Sequence, residues 1–294
     1  MKPFMKNAYV EITNVCNLAC DFCPGHKRSA KHMTSEEFSV IAEKLDGKVE
    51  NVFLHIMGEP LLHPELDKIL QTADKMSFNV KITTNGTLMR EGLATLIKSK
   101  NLKTVCISLH SFEGNLGDSS GNNIKEYLYG CFEGARALAE SGKFAVLRLW
   151  NLDGGHGSGK NSLNDRILAS IREFFPDGGA WKKTYRGERI ADHVFLEWGE
   201  HFDWPDISEA KECGAQEYEG KCYGLLTQFG ILSDGSVVPC CLDRNGDITL
   251  GNIFREELGD ILATERAVKM REGMLKRRFT EPLCRTCGFS RDSV

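Results

Sequence analysis

Between residues 9 and 200, short apolar runs alternate with segments of helical period. That alternation narrows the fold more than any other feature, because parallel strands joined by helical crossovers produce it and all-α or all-β chains do not. Strands are expected at residues 9–13 (YVEIT), 52–57 (VFLHIM), 80–84 (VKITT), 104–109 (TVCISL), 144–150 (FAVLRLW) and 193–198 (HVFLEW). Thr34 and Glu37 form a capping box opening a helix that carries Phe38, Ile41 and Leu45 on one face. Pro64 occupies the first turn of a helix with Leu66, Ile69, Leu70 and Ala73 as its apolar stripe. Ile124, Leu128, Cys131, Phe132 and Ala135 mark another helix, residues 163–174 a further one, and Asn85-Gly86 closes the third strand. Six β/α units predict an α/β chain that begins as a partial (β/α)6 barrel of the TIM type.

The rhythm breaks in the charged segment 203–220, which contains Pro205. This places a barrel domain at residues 1–205 and a second, small domain at 206–294. Past the break, TQFGIL, the turn Ser233-Asp234-Gly235 and SVVPC read as a β-hairpin, followed by a helix carrying Leu258, Ile261 and Leu262. Residues 154–159 are rich in glycine and read as a flexible loop.

Lys and Arg number 37 against 41 Asp and Glu, a net charge of −4 that gives no overall pull toward nucleic acid or anionic lipid. No run approaches the roughly 18 apolar residues of a membrane span, and the start lacks the apolar region of a signal peptide. The expectation is a cytoplasmic protein without membrane or nucleic-acid partners. Eleven cysteines in a reducing compartment then read as metal or cluster ligands before they read as disulfides.

Cys16, Cys20 and Cys23 form a C-x3-C-x2-C run directly after the first strand. Loops at the carboxyl ends of barrel strands carry the chemistry of such folds, and three thiolates close in sequence can wrap one face of a cubane. They leave one iron of a four-iron cluster open to a small chelating molecule. The alternative is zinc, with His26 or His32 as the fourth ligand. A second set comprises Cys222, Cys240, Cys284 and Cys287; the hairpin turn at Gly235 returns Cys240 toward Cys222, and the terminal C-x2-C supplies two more thiolates. Four thiolates saturate either a cluster or a structural zinc. Cys241 is expected to face the other side of an extended strand, and Cys106, Cys131 and Cys213 to pack as small hydrophobes.

These residues, in this order, resemble the radical S-adenosylmethionine superfamily over essentially the whole chain. Met57-Gly58-Glu59-Pro60 is similar to the family's Gly-Gly-Glu-Pro element, with Met57 in place of its first glycine. The resemblance implies that Gly58, Glu59 and Pro60 meet the methionine end of S-adenosylmethionine, Asn85, Ser108 and His110 lie at strand ends near its ribose, and Phe22 packs near adenine. It also implies an open-iron 4Fe-4S cluster on Cys16, Cys20 and Cys23. The C-terminal set resembles the twitch form of the SPASM extension, which implies one saturated auxiliary 4Fe-4S cluster on Cys222, Cys240, Cys284 and Cys287, since the chain runs only seven residues past Cys287.

The implied activity is reductive cleavage of S-adenosylmethionine to a 5′-deoxyadenosyl radical that abstracts a substrate hydrogen atom, with electrons from a flavodoxin- or ferredoxin-type donor. The auxiliary cluster is expected to accept the substrate's electron, which makes the chain an oxidoreductase. Substrate-side candidates are Arg148, Glu197 and His201, from the fifth and sixth strand ends. Eight residues before the first strand leave no room for a peptide-recognition domain, so a small polar metabolite is favoured over a peptide or protein side chain. A non-catalytic iron-sulfur or zinc protein is the third reading.

Overall fold

Eleven strands form one sheet in the order β11-β10-β9-β1-β2-β3-β4-β5-β8-β7-β6 in the computed structural model, which describes residues 4–113, 124–150, 162–176, 181–199, 202–211 and 220–291. In chain order the strands are β1 (Met5–Val10), β2 (Val49–Phe53), β3 (Asn79–Thr84), β4 (Leu102–Ser108), β5 (Phe144–Trp150), β6 (Lys182–Lys183), β7 (Gly187–Ala191), β8 (Val194–Gly199), β9 (Gln228–Ile231), β10 (Ser236–Val238) and β11 (Gly251–Asn252). The helices are α1 (Ser35–Leu45), α2 (Leu66–Ala73), α3 (Met89–Lys98), α4 (His110–Glu113), α5 (Ile124–Glu140), α6 (Asn164–Phe174), α7 (Leu258–Ala263), α8 (Glu265–Leu275), α9 (Pro282–Thr286) and α10 (Gly288–Arg291). β1, β2, β3, β4, β5 and β8 pair in parallel and are the six expected barrel strands. This is the open, partial TIM-type barrel the alternation calls for.

Alternation along each strand sorts its side chains. Ala145, Leu147 and Leu149 of β5 are fully buried toward the helices, while Arg148 and Trp150 are half-buried on the opposite, inner face. The helical layer is held by the stripes read from sequence: Phe38, Ile41 and Leu45 of α1, behind the Thr34–Glu37 capping box, and Leu128, Cys131, Phe132 and Ala135 of α5 are all within 1% of complete burial.

Several boundaries differ from expectation. The first strand spans Met5–Val10, not 9–13: Glu11 N still donates to the Ile231 carbonyl of β9, and beyond it Thr13 bridges His32 instead of continuing along β2. β2 stops at Phe53, short of Met57, since the chain must turn at Gly58, where φ is +77°. Helices α3 and α8 and strands β6, β7 and β11 have no counterpart in the sequence reading. β7 and β6 extend the sheet antiparallel beyond β8.

The C-terminal hairpin also belongs to this sheet. β9 runs parallel to β1, with Ala8 opposite Phe229, and β10 returns antiparallel to β9 around Gly235 (φ +84°). Phe229, Leu258 and Ile261 share one continuous core with the barrel's helices. Residues 202–206 pack on the cysteine-bearing end: the Asp203 carbonyl accepts from Gly288 N, and Asp206 N donates to Thr286 Oγ1. No helix among the described residues is long and apolar enough to cross a membrane.

Candidate active site

Three loops meet at the carboxyl ends of β1, β2 and β3. The loop carrying Cys16, Cys20 and Cys23 approaches Gly58 so closely that a Cβ there would lie 2.5 Å from the Thr13 carbonyl and 2.8 Å from that of Val15. Glu59 N donates to the same Val15 carbonyl at 2.9 Å. The Glu59 carboxylate accepts from Leu61 N (2.9 Å), Thr84 Oγ1 (2.7 Å) and Asn85 N (2.7 Å). Burial raises its pKa against these three bonds. Glu59 therefore clamps the β2 loop to the β3 loop, and what this segment offers outward is backbone. Pro60 starts the short 3-10 turn that follows. Asn85 reaches back: its Nδ2 donates to Asn17 Oδ1 at 2.9 Å and lies 3.9 Å from Cys16 Sγ.

Beyond these loops the barrel wall turns aromatic. Phe22, from between the second and third cysteines, packs 4.5 Å from Trp150 and 5.3 Å from His110, and His110 stacks on Trp150 at 4.1 Å. Ser108 lies one register step away, opposite Arg148, which is itself opposite Glu197. Phe22, Ser108, His110, Arg148 and Glu197, expected from different parts of the sequence, thus line one end of the barrel. His201 lies outside the described residues, as do Cys213 and the loop at 154–159.

Deeper in the barrel are further polar groups, among them Cys106, which alternation places on the same face as Ser108 and His110. His55 faces Thr83 (Nε2 to Oγ1, 3.4 Å) and Arg148; burial and that guanidinium push its pKa down to about 3, so the ring is neutral. Cys106 is surrounded by Thr83, Arg148, Lys81 and Glu197, and burial raises its pKa. Tyr9 stacks on Phe53 at 4.6 Å, and its hydroxyl feels Cys240, Cys241, Arg148 and Arg186.

Glu11 is a further residue that motif spacing does not reveal. Fully buried, it accepts from Arg28 Nη2 (2.6 Å), Met57 N (3.3 Å) and Ser233 N (3.2 Å), joining the cysteine loop, the β2 loop and the hairpin turn. Its one signal in the sequence is that of an acid inside an apolar strand run.

The second cysteine set gathers where α9 meets the end of β10. Cys240 feels the charges of Cys222 and Cys284, and Cys222 and Cys284 each feel Cys287. Burial drives the pKa of Cys240 and Cys284 well above the usual thiol range. Cys241 does not follow the expected strand alternation, because β10 ends at Val238 and residues 239–242 turn. Its thiol lies beside the Tyr9 hydroxyl and feels Cys222 and Cys287, and burial pushes its pKa up to about 12. Cys131 behaves as expected, fully buried with its Sγ 3.7 Å from the Gly86 carbonyl.

The model of the Radical SAM superfamily matches residues 10–142, and that of an iron-sulfur cluster-binding domain, SPASM, matches residues 222–288. The chain is a radical S-adenosylmethionine protein with a C-terminal SPASM-type domain. It is 24% identical to GTP 3′,8-cyclase of Microcystis aeruginosa over 305 residues, covering 90% of this chain and 89% of the cyclase. It is also 24% identical to the antilisterial bacteriocin subtilosin biosynthesis protein AlbA of Bacillus subtilis over 305 residues, 98% of this chain and 66% of AlbA. The crystal structure of BtrN in complex with AdoMet and 2-DOIA superposes with a TM-score of 0.57 over 98% of this chain and 94% of BtrN, at 16% identity, a likeness of fold.

A radical S-adenosylmethionine protein with a SPASM domain uses S-adenosylmethionine and 4Fe-4S clusters, and the donor chemistry here fits them. Both cysteine sets are soft, sulfur-only donors of the kind iron-sulfur clusters take. In the C-terminal set, the thiols of Cys240 and Cys284, which burial keeps protonated, are groups whose balance a metal's charge tips to thiolate. Among the described residues no three His, Cys, Asp or Glu side chains already converge on a common point. Of the histidines that a zinc site would need, His26 has its Nε2 3.0 Å from the Asn14 carbonyl and His32 packs edge-on against His63 at 5.4 Å, and the Nδ1 of each is buried without a hydrogen-bond partner among the described residues.

Proposed function

We propose that this radical S-adenosylmethionine enzyme is an oxidoreductase acting on a small polar metabolite. The reading is supported by the inner-face polar groups of the barrel, which run from one cysteine set toward the other. Ser108 and Arg148 lie at its cofactor end, and Tyr9, whose hydroxyl feels both Arg148 and Cys240, lies toward the C-terminal thiols. A substrate inside would stand between the two cysteine sets.

Cys16, Cys20 and Cys23 would hold the open-iron cluster, which with S-adenosylmethionine supplies a 5′-deoxyadenosyl radical by one-electron cleavage when bound. Cys222, Cys240, Cys284 and Cys287 would hold the group that takes the second electron of the substrate's oxidation, the first leaving with the abstracted hydrogen atom, and a flavodoxin- or ferredoxin-type donor would deliver the separate electron that cleavage of S-adenosylmethionine consumes. The chain's own work is placement. Gly58 and the Glu59 clamp set the backbone edge for the methionine end, Asn85 and Ser108 stand at the ribose, and Phe22, His110 and Trp150 wall off water from the adenine side. Glu197 or His201 would take the proton that the substrate sheds.

A second reading, modification of a peptide, is supported by likeness to AlbA along 98% of this chain. Anaerobically reconstituted protein separates the two. Incubation with candidate metabolites and peptides should give a metabolite product lighter by two hydrogens, formed together with 5′-deoxyadenosine, and Cys284→Ala/Cys287→Ala should lose about four of about eight irons and that product. A modified peptide would overturn the small-substrate reading, and full product from the double variant would overturn the electron-acceptor role.

A further inference from the structure

Arg148 on β5 and Glu197 on β8 are register partners on neighbouring parallel strands, both half-buried on the inner face of the barrel. Opposite charges so placed ordinarily close into a pair. These do not: among the described residues neither side chain makes an ion pair or a hydrogen bond. Half-buried charges left apart cost stability that a ligand satisfying both would recover. The surroundings favour one sign. Lys81 also bears on Cys106 of the inner face, its Nζ 5.1 Å from the centre of the Phe53 ring. Arg148 and Lys81 thus stand with Glu197 around Cys106, two cations to one carboxylate among the described residues there, while His55, beside Arg148, stays uncharged and His110 holds its Nδ1 3.2 Å from the Arg148 carbonyl.

Resting on the radical reading above, we propose that this inner face binds a substrate with an anionic oxygen group, carboxylate or phosphoryl, gripped by Arg148, beside a hydrogen-bond donor turned toward Glu197. A guanidinium offers two parallel N–H groups to such an oxyanion and so fixes orientation as well as position. Because Arg148 is opposite Ser108, with the His110–Trp150 stack one pleat above, the grip sets the substrate's polar end directly below the cofactor end of the barrel. The carbon that loses hydrogen is then close to the anchored group, not at the end of a long chain.

The test uses the full, anaerobically reconstituted protein with S-adenosylmethionine present and measures binding of glutarate, inorganic phosphate and glutamate by calorimetry. Glutamate differs from glutarate by one ammonium. Wild-type protein should bind glutarate or phosphate, and which of the two binds identifies the anion. Arg148→Gln should weaken that binding at least tenfold, and Arg148→Lys should restore only part of it. Glu197→Gln should tighten glutarate while removing any preference for glutamate over glutarate. Equal affinity in wild type and Arg148→Gln, or no binding of any probe to wild type, would overturn the proposal, and an unchanged glutamate preference in Glu197→Gln would overturn its donor half. Deoxyadenosine formation by wild type without substrate is recorded on the same sample. If it occurs while no anion binds, the anionic site fails and the radical reading stands; if Arg148-dependent binding occurs without it, the anionic site stands and the radical reading fails.

Discussion

Gly58 shows how narrowly one residue can be determined. It needs a positive φ and has no room for a Cβ, because the Thr13 and Val15 carbonyls occupy that space. Gly58→Ala must therefore push the β2 loop off the cysteine loop. Cleavage of S-adenosylmethionine by that variant should fall by at least tenfold while circular dichroism stays native, and wild-type cleavage would contradict the close fit. His55 makes a pH-dependent contribution of known sign. Its folded pKa of about 3 lies below the ordinary 6.5, so above pH 6.5 the ring is neutral in both states and contributes nothing to the slope. Below 6.5 the unfolded chain takes up a proton that the folded one refuses, and stability falls by about 1.4 kcal/mol per pH unit down to about pH 3. Urea unfolding of wild type and His55→Gln at pH 7, 6 and 5 checks this. The variant should lose less stability over that interval, and identical slopes would contradict the buried neutral ring.

At the scale of elements, Glu11 joins three segments distant in sequence, and nothing in its spacing announces this. Removing its side chain strands Arg28, whose side chain is 13% exposed. Glu11→Ala should cost about 3–5 kcal/mol in denaturant unfolding and Glu11→Gln less, whereas a loss below about 1 kcal/mol would mean the pair adds nothing. Elements whose own side chains specify them are legible: β5 at residues 144–150, the α1 capping box and the Asp234-Gly235 hairpin turn all carry their reason within a few residues. Strands β6 and β7 are not, because Lys182, Lys183, Glu188 and Arg189 lack apolar alternation; β7 takes its pairing from β8, and β6 from β7. α3 is obscured because Gly92 interrupts its stripe, although Leu96 is fully buried. The cysteine ligand sets stand out as spacing, while Tyr9, His55 and Lys81 become visible only when the barrel closes around them.

In the molecule as a whole, the hairpin's pairing with β1 brings Cys240 and Cys241 to the barrel's flank, where the Tyr9 hydroxyl feels them together with Arg148. The radical chemistry proposed for this protein depends on the first set generating the radical. The most direct measurement is 5′-deoxyadenosine formed anaerobically from S-adenosylmethionine and dithionite, without substrate, by wild type and by Cys16→Ala, Cys20→Ala and Cys23→Ala, each verified as folded and monodisperse. Slow formation by wild type and none by any of the three is the expected result; undiminished formation by all three would contradict the assignment.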